Sequence, residues 1–131
     1  MIPLACLVAA ADDAKPNLSG NWHLKEATKT ASAMTMVIEQ KGTSIHIVKS
    51  MTGSDGKEVK TEFQCNTDGK ECEAGGVKIS LWFDGPSLCE MDSGGEAVSK
   101  VVMKLDGDCL KVDVSHIFPD APQETYLLAK N

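Results

Sequence analysis

Glu90 and His116 are the residues of this 131-residue chain from which acid/base chemistry could be assembled. His116 shares an alternating row with Leu110, Val112 and Val114, and Glu90 falls on the inward side of its own strand. The hairpin registers set both near Ala97, so a carboxylate and an imidazole could face one another across a barrel mouth as a general acid/base pair. The plainer account makes both of them rim residues at strand ends, where a barrel mouth is wet, and the protein no enzyme. The other histidines follow polar parity: His23 lies beside Trp22, and His46 points opposite Ile45 and Ile47, which places both on the surface. No Ser-His-Asp or Cys-His set can be built. Asp106-Gly107-Asp108 offers two carboxylates on a tight turn, far short of the roughly six to eight oxygens that calcium takes. No metal and no cofactor is expected.

The cysteines depend on the start of the chain. Ile2 to Ala11 is apolar and ends in Ala9-Ala10-Ala11, followed by Asp12-Asp13. This fits the hydrophobic region of an export signal with cleavage after Ala10 or Ala11, although a positive n-region is missing. A bilayer takes about 20 apolar residues, so no integral membrane segment is expected. Leu4-Ala5-Cys6 partly matches a bacterial lipobox, with Pro3 where that pattern wants leucine, and a lipid anchor at Cys6 is the alternative to cleavage. Residues 1–16 are thus expected to be residual signal peptide and linker, residues 17–131 a single domain, and the product exported, periplasmic or secreted. Export leaves Cys65, Cys72, Cys89 and Cys109 where disulfides are permitted. Cys65 and Cys72 stand symmetrically about Asp68-Gly69, opposite each other in a hairpin with a four-residue loop, as a pair without ladder hydrogen bonds suited to a cross-strand bridge. Elimination would pair Cys89 with Cys109. Their strands flank a third, however, and two interstrand spacings of about 4.8 Å exceed the ~7 Å Cα limit. Two free thiols are the alternative. Zinc is a poor fit, because Cys-x6-Cys is not a knuckle spacing and no histidine follows nearby.

The elements that position these groups are announced by turns. Asp55-Gly56, Asp68-Gly69, Asp84-Gly85 and Asp106-Gly107 each lie between alternating apolar and polar runs, the strongest short-range hairpin signal. Turns centred on the dipeptides set Met103 opposite Leu110, Val101 opposite Val112, Leu81 opposite Leu88 and, about Lys41-Gly42, Ile38 opposite Ile45 and Met36 opposite Ile47. At Asp55-Gly56 a three-residue loop, Ser54-Asp55-Gly56, is needed to bring Ile47 to Phe63 and Met51 to Val59. Nine strands are expected, near 20–26, 34–40, 43–51, 57–66, 77–83, 86–92, 96–105, 109–117 and 123–130. A bulge at Gly75-Gly76 would let Val77, Ile79, Leu81 and Phe83 face inward together. The fold class is all-β, an antiparallel up-and-down meander barrel of eight or nine strands, since closure hides the edges. Its inward rows make Met36, Ile47, Phe63, Leu81, Met103 and Val112, with Glu90 and His116, the candidate ligand contacts. Methionine thioethers suit either a core or a cavity that tolerates varied apolar ligands.

Charge narrows the partners. The formal net charge is −6, and all thirteen basic residues are lysines. Nucleic-acid binding needs clustered cationic surface, and phosphate recognition leans on the bidentate guanidinium, so neither is expected.

Asn17-Leu18-Ser19-Gly20-Asn21-Trp22 carries a family resemblance. Gly20-x-Trp22 resembles the first-strand signature of lipocalins. Residues 17–130 are similar to the short lipocalin-like, calycin-type domains of exported bacterial proteins in that opening, in the Ile38-Glu39-Gln40-Lys41-Gly42 hairpin and in the Cys65 to Cys72 loop. The resemblance implies that Trp22 plugs one barrel end. Lipocalins commonly pack a last-strand arginine over that ring, whereas here Lys130 is the nearest cation, and a lysine does not stack as a planar fork. Avidin-like barrels also begin with Gly-x-Trp, but their tryptophan-rich pocket is missing: Trp82 alone remains, on the parity opposite Leu81 and Phe83. The expected function is binding of a small apolar or amphipathic ligand inside the barrel. The alternative is a filled barrel acting through its loops or outer face as a protein-interaction module or protease inhibitor.

Overall fold

The computed structural model describes residues 16–27, 33–53 and 55–131. The expected signal segment and Cys6 lie outside the described residues. Among the described residues ten strands form one antiparallel sheet: β1 Gly20–Ala27, β2 Ala33–Lys41, β3 Ser44–Thr52, β4 Glu58–Asn66, β5 Asp68–Ala74, β6 Val77–Asp84, β7 Ser87–Gly94, β8 Ala97–Asp106, β9 Cys109–Phe118 and β10 Ala121–Lys130. Strands adjacent in sequence pair throughout except β4 with β5, and β1 pairs with β10. The sheet therefore rolls into a nearly closed up-and-down barrel whose break falls in mid-chain. There are ten strands where nine were expected, because Gly75 and Gly76, at φ 57° and 83°, form a turn joining β5 to β6, where Ala74 pairs with Val77. They do not form the expected bulge, and positive φ at both loop positions is what a type I′ hairpin requires.

The register expected after β3 stands, with Ile47 opposite Phe63 and Met51 opposite Val59, while Ser54 of the expected loop lies outside the described residues. The two-residue turns differ by one position from the sequence expectation. Lys41 pairs with Ser44, Asp84 with Ser87 and Asp106 with Cys109, so the loops are Gly42-Thr43, Gly85-Pro86 and Gly107-Asp108. Glycine takes the first loop position, with φ of 59°, 60° and 63°, and the aspartate or lysine before it ends the strand. Pro86, whose φ is held at about −65°, fits the second position of a turn that opens with glycine. The pairs become Ile38 with Ile47, Met36 with Lys49, Phe83 with Leu88, Leu81 with Glu90, Met103 with Val112 and Val101 with Val114. An even slip keeps every inward side chain inward.

The seam between β4 and β5 is closed covalently. Cys65 and Cys72 form the expected disulfide, Cα–Cα 5.8 Å, but it joins two unladdered sheet edges instead of lying within a hydrogen-bonded hairpin. Thr67 turns away between them, its amide donating to the Thr43 carbonyl at 2.8 Å. Cys89 and Cys109 are free thiols. The pairing suggested by elimination is overturned by the intervening strand: Cys89 sits opposite Val102 and Cys109 opposite Asp106, both on β8.

Core packing divides the barrel into two halves. Toward the end that holds Gly42, Gly85, Gly107 and both described chain termini, Leu18, Ile38, Ile45, Leu81, Leu88, Leu110 and Leu128 are completely or almost completely buried. Each such side chain contributes about 1.5–3 kcal/mol by leaving water. Trp22 is buried there and donates from Nε1 to the Leu18 carbonyl at 3.1 Å, while Lys130 Nζ stands 5.7 Å from its ring centroid. A cation–π contact of this kind is available to lysine without the planar fork. Gln40 ties the incoming segment down, accepting from the Leu18 amide at 3.0 Å and donating to the Pro16 carbonyl at 3.0 Å. Inward positions at the opposite end are smaller and more polar, and there the packing stops.

Candidate ligand cavity

A cavity of about 260 Å³ occupies the open half of the barrel. Lys49 of β3 and Thr61 and Phe63 of β4 form one side. Ala74, Val77 and Ile79, from the end of β5 and from β6, form the next, and Glu90, Asp92, Gly94 and Ala97 of β7 and β8 complete it. Space is left because the inward rows run out of bulk as they approach this mouth: the β7 row passes from Leu88 to Glu90, Asp92 and Gly94, and the β8 row from Met103 and Val101 to Ser99 and Ala97. Gly94 also has a packing reason, since a Cβ there would come within 3.0 Å of Val77 Cγ2.

The polar groups on this wall are unequal. Glu90 is 5% exposed and sits between Leu81 and Val101 on the neighbouring strands. Burial, then the hydrogen bond and negative charge of Asp92, push its carboxyl well above the ordinary range, against a smaller opposing pull from Lys49. Asp92 presents a buried Oδ1 that has no hydrogen-bond partner among the described residues. Lys49 is the one cation on the cavity wall among the described residues.

Glu90 and His116 are not brought together. The β7–β8 turn, where Gly94 pairs with Ala97, sets Glu90 opposite Val101, four positions from Ala97, and the slip at Gly107 puts His116 opposite Ser99 on the far side of β8. His116 Nε2 instead lies 2.7 Å from Glu124 Oε2, whose other oxygen accepts from the Tyr126 hydroxyl. Tyr126 is 1% exposed, and its phenol is raised by burial and by that bond to Glu124. This polar chain lies along β9 and β10, and none of its three residues lines the cavity. His46 is on the outer face as expected, between Glu39 at 3.2 Å and Glu62 at 2.7 Å, which raise its pKa.

Of the candidate contacts, Phe63 and Glu90 line the cavity, while Met36, Ile47, Leu81, Met103 and Val112 are buried in the packed core. Sequence reasoning overlooked Lys49, Thr61 and Asp92. The signal was present: Lys49 continues the parity of Ile45 and Ile47, and Asp92 that of Leu88 and Glu90.

No protein-family model and no curated protein matches this chain. Solved structures do. A protein described as the REP1-NXSQ fatty acid transporter superposes with a TM-score of 0.66 at 18% identity, over 87% of this chain and 96% of its own. The wild-type fluorescent protein UnaG gives 0.66 at 13% identity, over 87% and 97%. A Schistosoma mansoni fatty acid binding protein in complex with arachidonic acid gives 0.63 at 15% identity, over 86% and 95%. At these identities the likeness is one of fold, and the chain has the fold of the fatty-acid-binding and lipocalin-like barrels.

Proposed function

We propose that this protein is an exported barrel, its domain spanning residues 17–131, that takes a small apolar or amphipathic molecule through its open mouth. It acts as a carrier or binder, without catalysis. The observation that carries this reading is the half-filled interior: one end packed solid, the other enclosing about 260 Å³ lined by Phe63, Val77, Ile79 and Ala74. Ligand pockets run from about 300 to 1,000 Å³, so this one suits a small ligand, or a longer one whose tail projects. Val59, Ile117 and Phe118 offer exposed apolar surface at the same end. The disulfide fits an oxidising compartment, and the neighbours named as fatty acid proteins support an apolar ligand.

The test uses N-phenyl-1-naphthylamine, a neutral apolar fluorophore. Its emission is expected to rise saturably with the wild-type protein. Ala97→Trp, at an exposed position on the cavity rim, is expected to cork the mouth and weaken binding by about tenfold or more, roughly 1.4 kcal/mol. Lys100→Ala, on the outward parity of β8, is expected to leave binding unchanged. Equal affinity in the Ala97→Trp and wild-type proteins would exclude the cavity as the site.

A further inference from the structure

The cavity wall crosses the join of the barrel that carries no ladder. β4 and β5 are the two edges of the sheet, and among the described residues no ladder pair connects them. From the Cys65–Cys72 bridge both strands run toward the open mouth, and the next residues of inward parity belong to the cavity: Phe63 and Thr61 on β4, and Ala74 on β5. Cys65 Sγ also lies 3.9 Å from the carbonyl oxygen of Ile79, a residue of the same wall. On the outer side a polar groove of about 480 Å³ is bounded by both cysteines, with Gln64, Asn66, Lys70 and Glu71 around them. A thiol in solution therefore has a path to the bridge.

Little else holds the two edges together. The link between them is fastened away from the seam, the Thr67 amide and hydroxyl both donating to the Thr43 carbonyl, at 2.8 and 3.2 Å. The β5–β6 ladder is irregular between Asp68 and Glu71, around Gly69 at φ 80°, which gives β5 a hinge at its root. Edge strands with few buried apolar contacts open locally at low free energy. The bridge opposes this by fixing the separation across the seam, Cα–Cα 5.8 Å, and with it a cavity of about 260 Å³, below the range of about 300–1,000 Å³ usual for ligand pockets.

We propose that the Cys65–Cys72 bridge is a redox-controlled limit on ligand size: oxidised, it restricts the cavity to slender apolar molecules, and reduced, it lets β5 part from β4 and admits rigid, ring-bearing ones. This rests on the cavity being the ligand site, as proposed above. The switching reaction is exchange with a dithiol. One reductant thiolate attacks a bridge sulfur, forming a mixed disulfide and displacing the other cysteine as a thiolate, which takes up a proton. The second reductant thiolate attacks its own mixed-disulfide sulfur, closes a cyclic disulfide and releases the second cysteine, which is protonated in turn. Two electrons and two protons pass from the dithiol to the bridge. Cys89 and Cys109 are already free thiols and do not change.

The experiment is displacement of bound N-phenyl-1-naphthylamine by 1-decanol, a single flexible chain, and by progesterone, a rigid neutral four-ring steroid, before and after treatment with dithiothreitol. In the oxidised protein decanol is expected to displace the probe at about one-tenth of the steroid concentration or less. Reduction is expected to strengthen progesterone about tenfold while decanol stays within about threefold. Cys65→Ser with Cys72→Ser is expected to show the reduced pattern without dithiothreitol and no change on its addition; reduced wild-type protein reads the same effect should that variant fail to fold. A loss of stability alone would weaken both competitors together, so the ratio between them is the readout. A ratio unchanged by reduction, or loss of all probe binding on reduction, would overturn the redox limit while leaving the cavity as the probe's site in the oxidised protein. Absence of probe binding that Ala97→Trp can remove would overturn both.

Discussion

Replacing Cys65 and Cys72 together by serine is expected to lower the stability of the barrel by about 2.4 kcal/mol, roughly 9 °C in melting temperature for a chain of this length. The estimate is the chain-entropy contribution of a short closed loop, since the two cysteines are separated by seven positions. The native-state consequence is more specific. β4 and β5 are the edges of the sheet, and exposed edges are templates for further pairing. With the bridge gone, amide exchange should accelerate selectively along these two strands and stay slow in β8, β9 and β10, which are laddered on both sides. Chemical denaturation and hydrogen exchange on the double serine variant measure both effects. Unchanged stability with uniform exchange would show that the seam is held by packing alone.

The second large effect is expected at Glu90. Its folded pKa lies above the ordinary value of 4.5, chiefly through burial. Above that ordinary value the folded protein therefore holds a proton that the unfolded chain has released. Its contribution to stability is fully present at pH below 4.5 and is lost as pH rises through the raised folded value. Glutamine has the shape of the protonated acid, keeps a donor for Asp92 and has no proton to lose. Glu90→Gln is expected to be more stable than wild type by about 1–3 kcal/mol at pH 8, with the difference shrinking toward zero near pH 4. Urea titrations of both proteins across that range test the sign. A glutamine variant no more stable at pH 8 would mean that Glu90 is stabilised in its charged form.

The barrel was legible in the sequence because its signals are local. Alternation gives the inward face, and Asp-Gly pairs mark where strands reverse. The tenth strand was not, because Asp68 to Ala74 is short, polar and lies along the seam, so only Cys72 and Ala74 among its residues pack against the core. Turn placement failed by one residue for a physical reason: the dipeptide marks the turn, but positive φ belongs to the glycine, which opens the loop while the preceding residue closes the ladder. This slip left the inward face intact, since parity survives an even shift; the Glu90–His116 pair was lost because the β7–β8 turn sets Glu90 opposite Val101, four positions from Ala97, while His116 lies opposite Ser99. Cavity and core residues share the same inward parity, so alternation could not separate Phe63 from Met103. Which of them line a space depends on side-chain volume summed across β3 to β8, a quantity that no single strand contains.

The most direct test of the half-filled barrel is a titration of ¹⁵N-labelled protein with N-phenyl-1-naphthylamine, followed by amide chemical shifts. Shifts confined to Phe63, Val77, Ile79, Glu90, Asp92, Gly94 and Ala97, with Trp22, Leu110 and Leu128 at the packed end unmoved, are the predicted result. Shifts spread over outward positions such as His46, Lys100 and Lys111, with the cavity residues still, would contradict it.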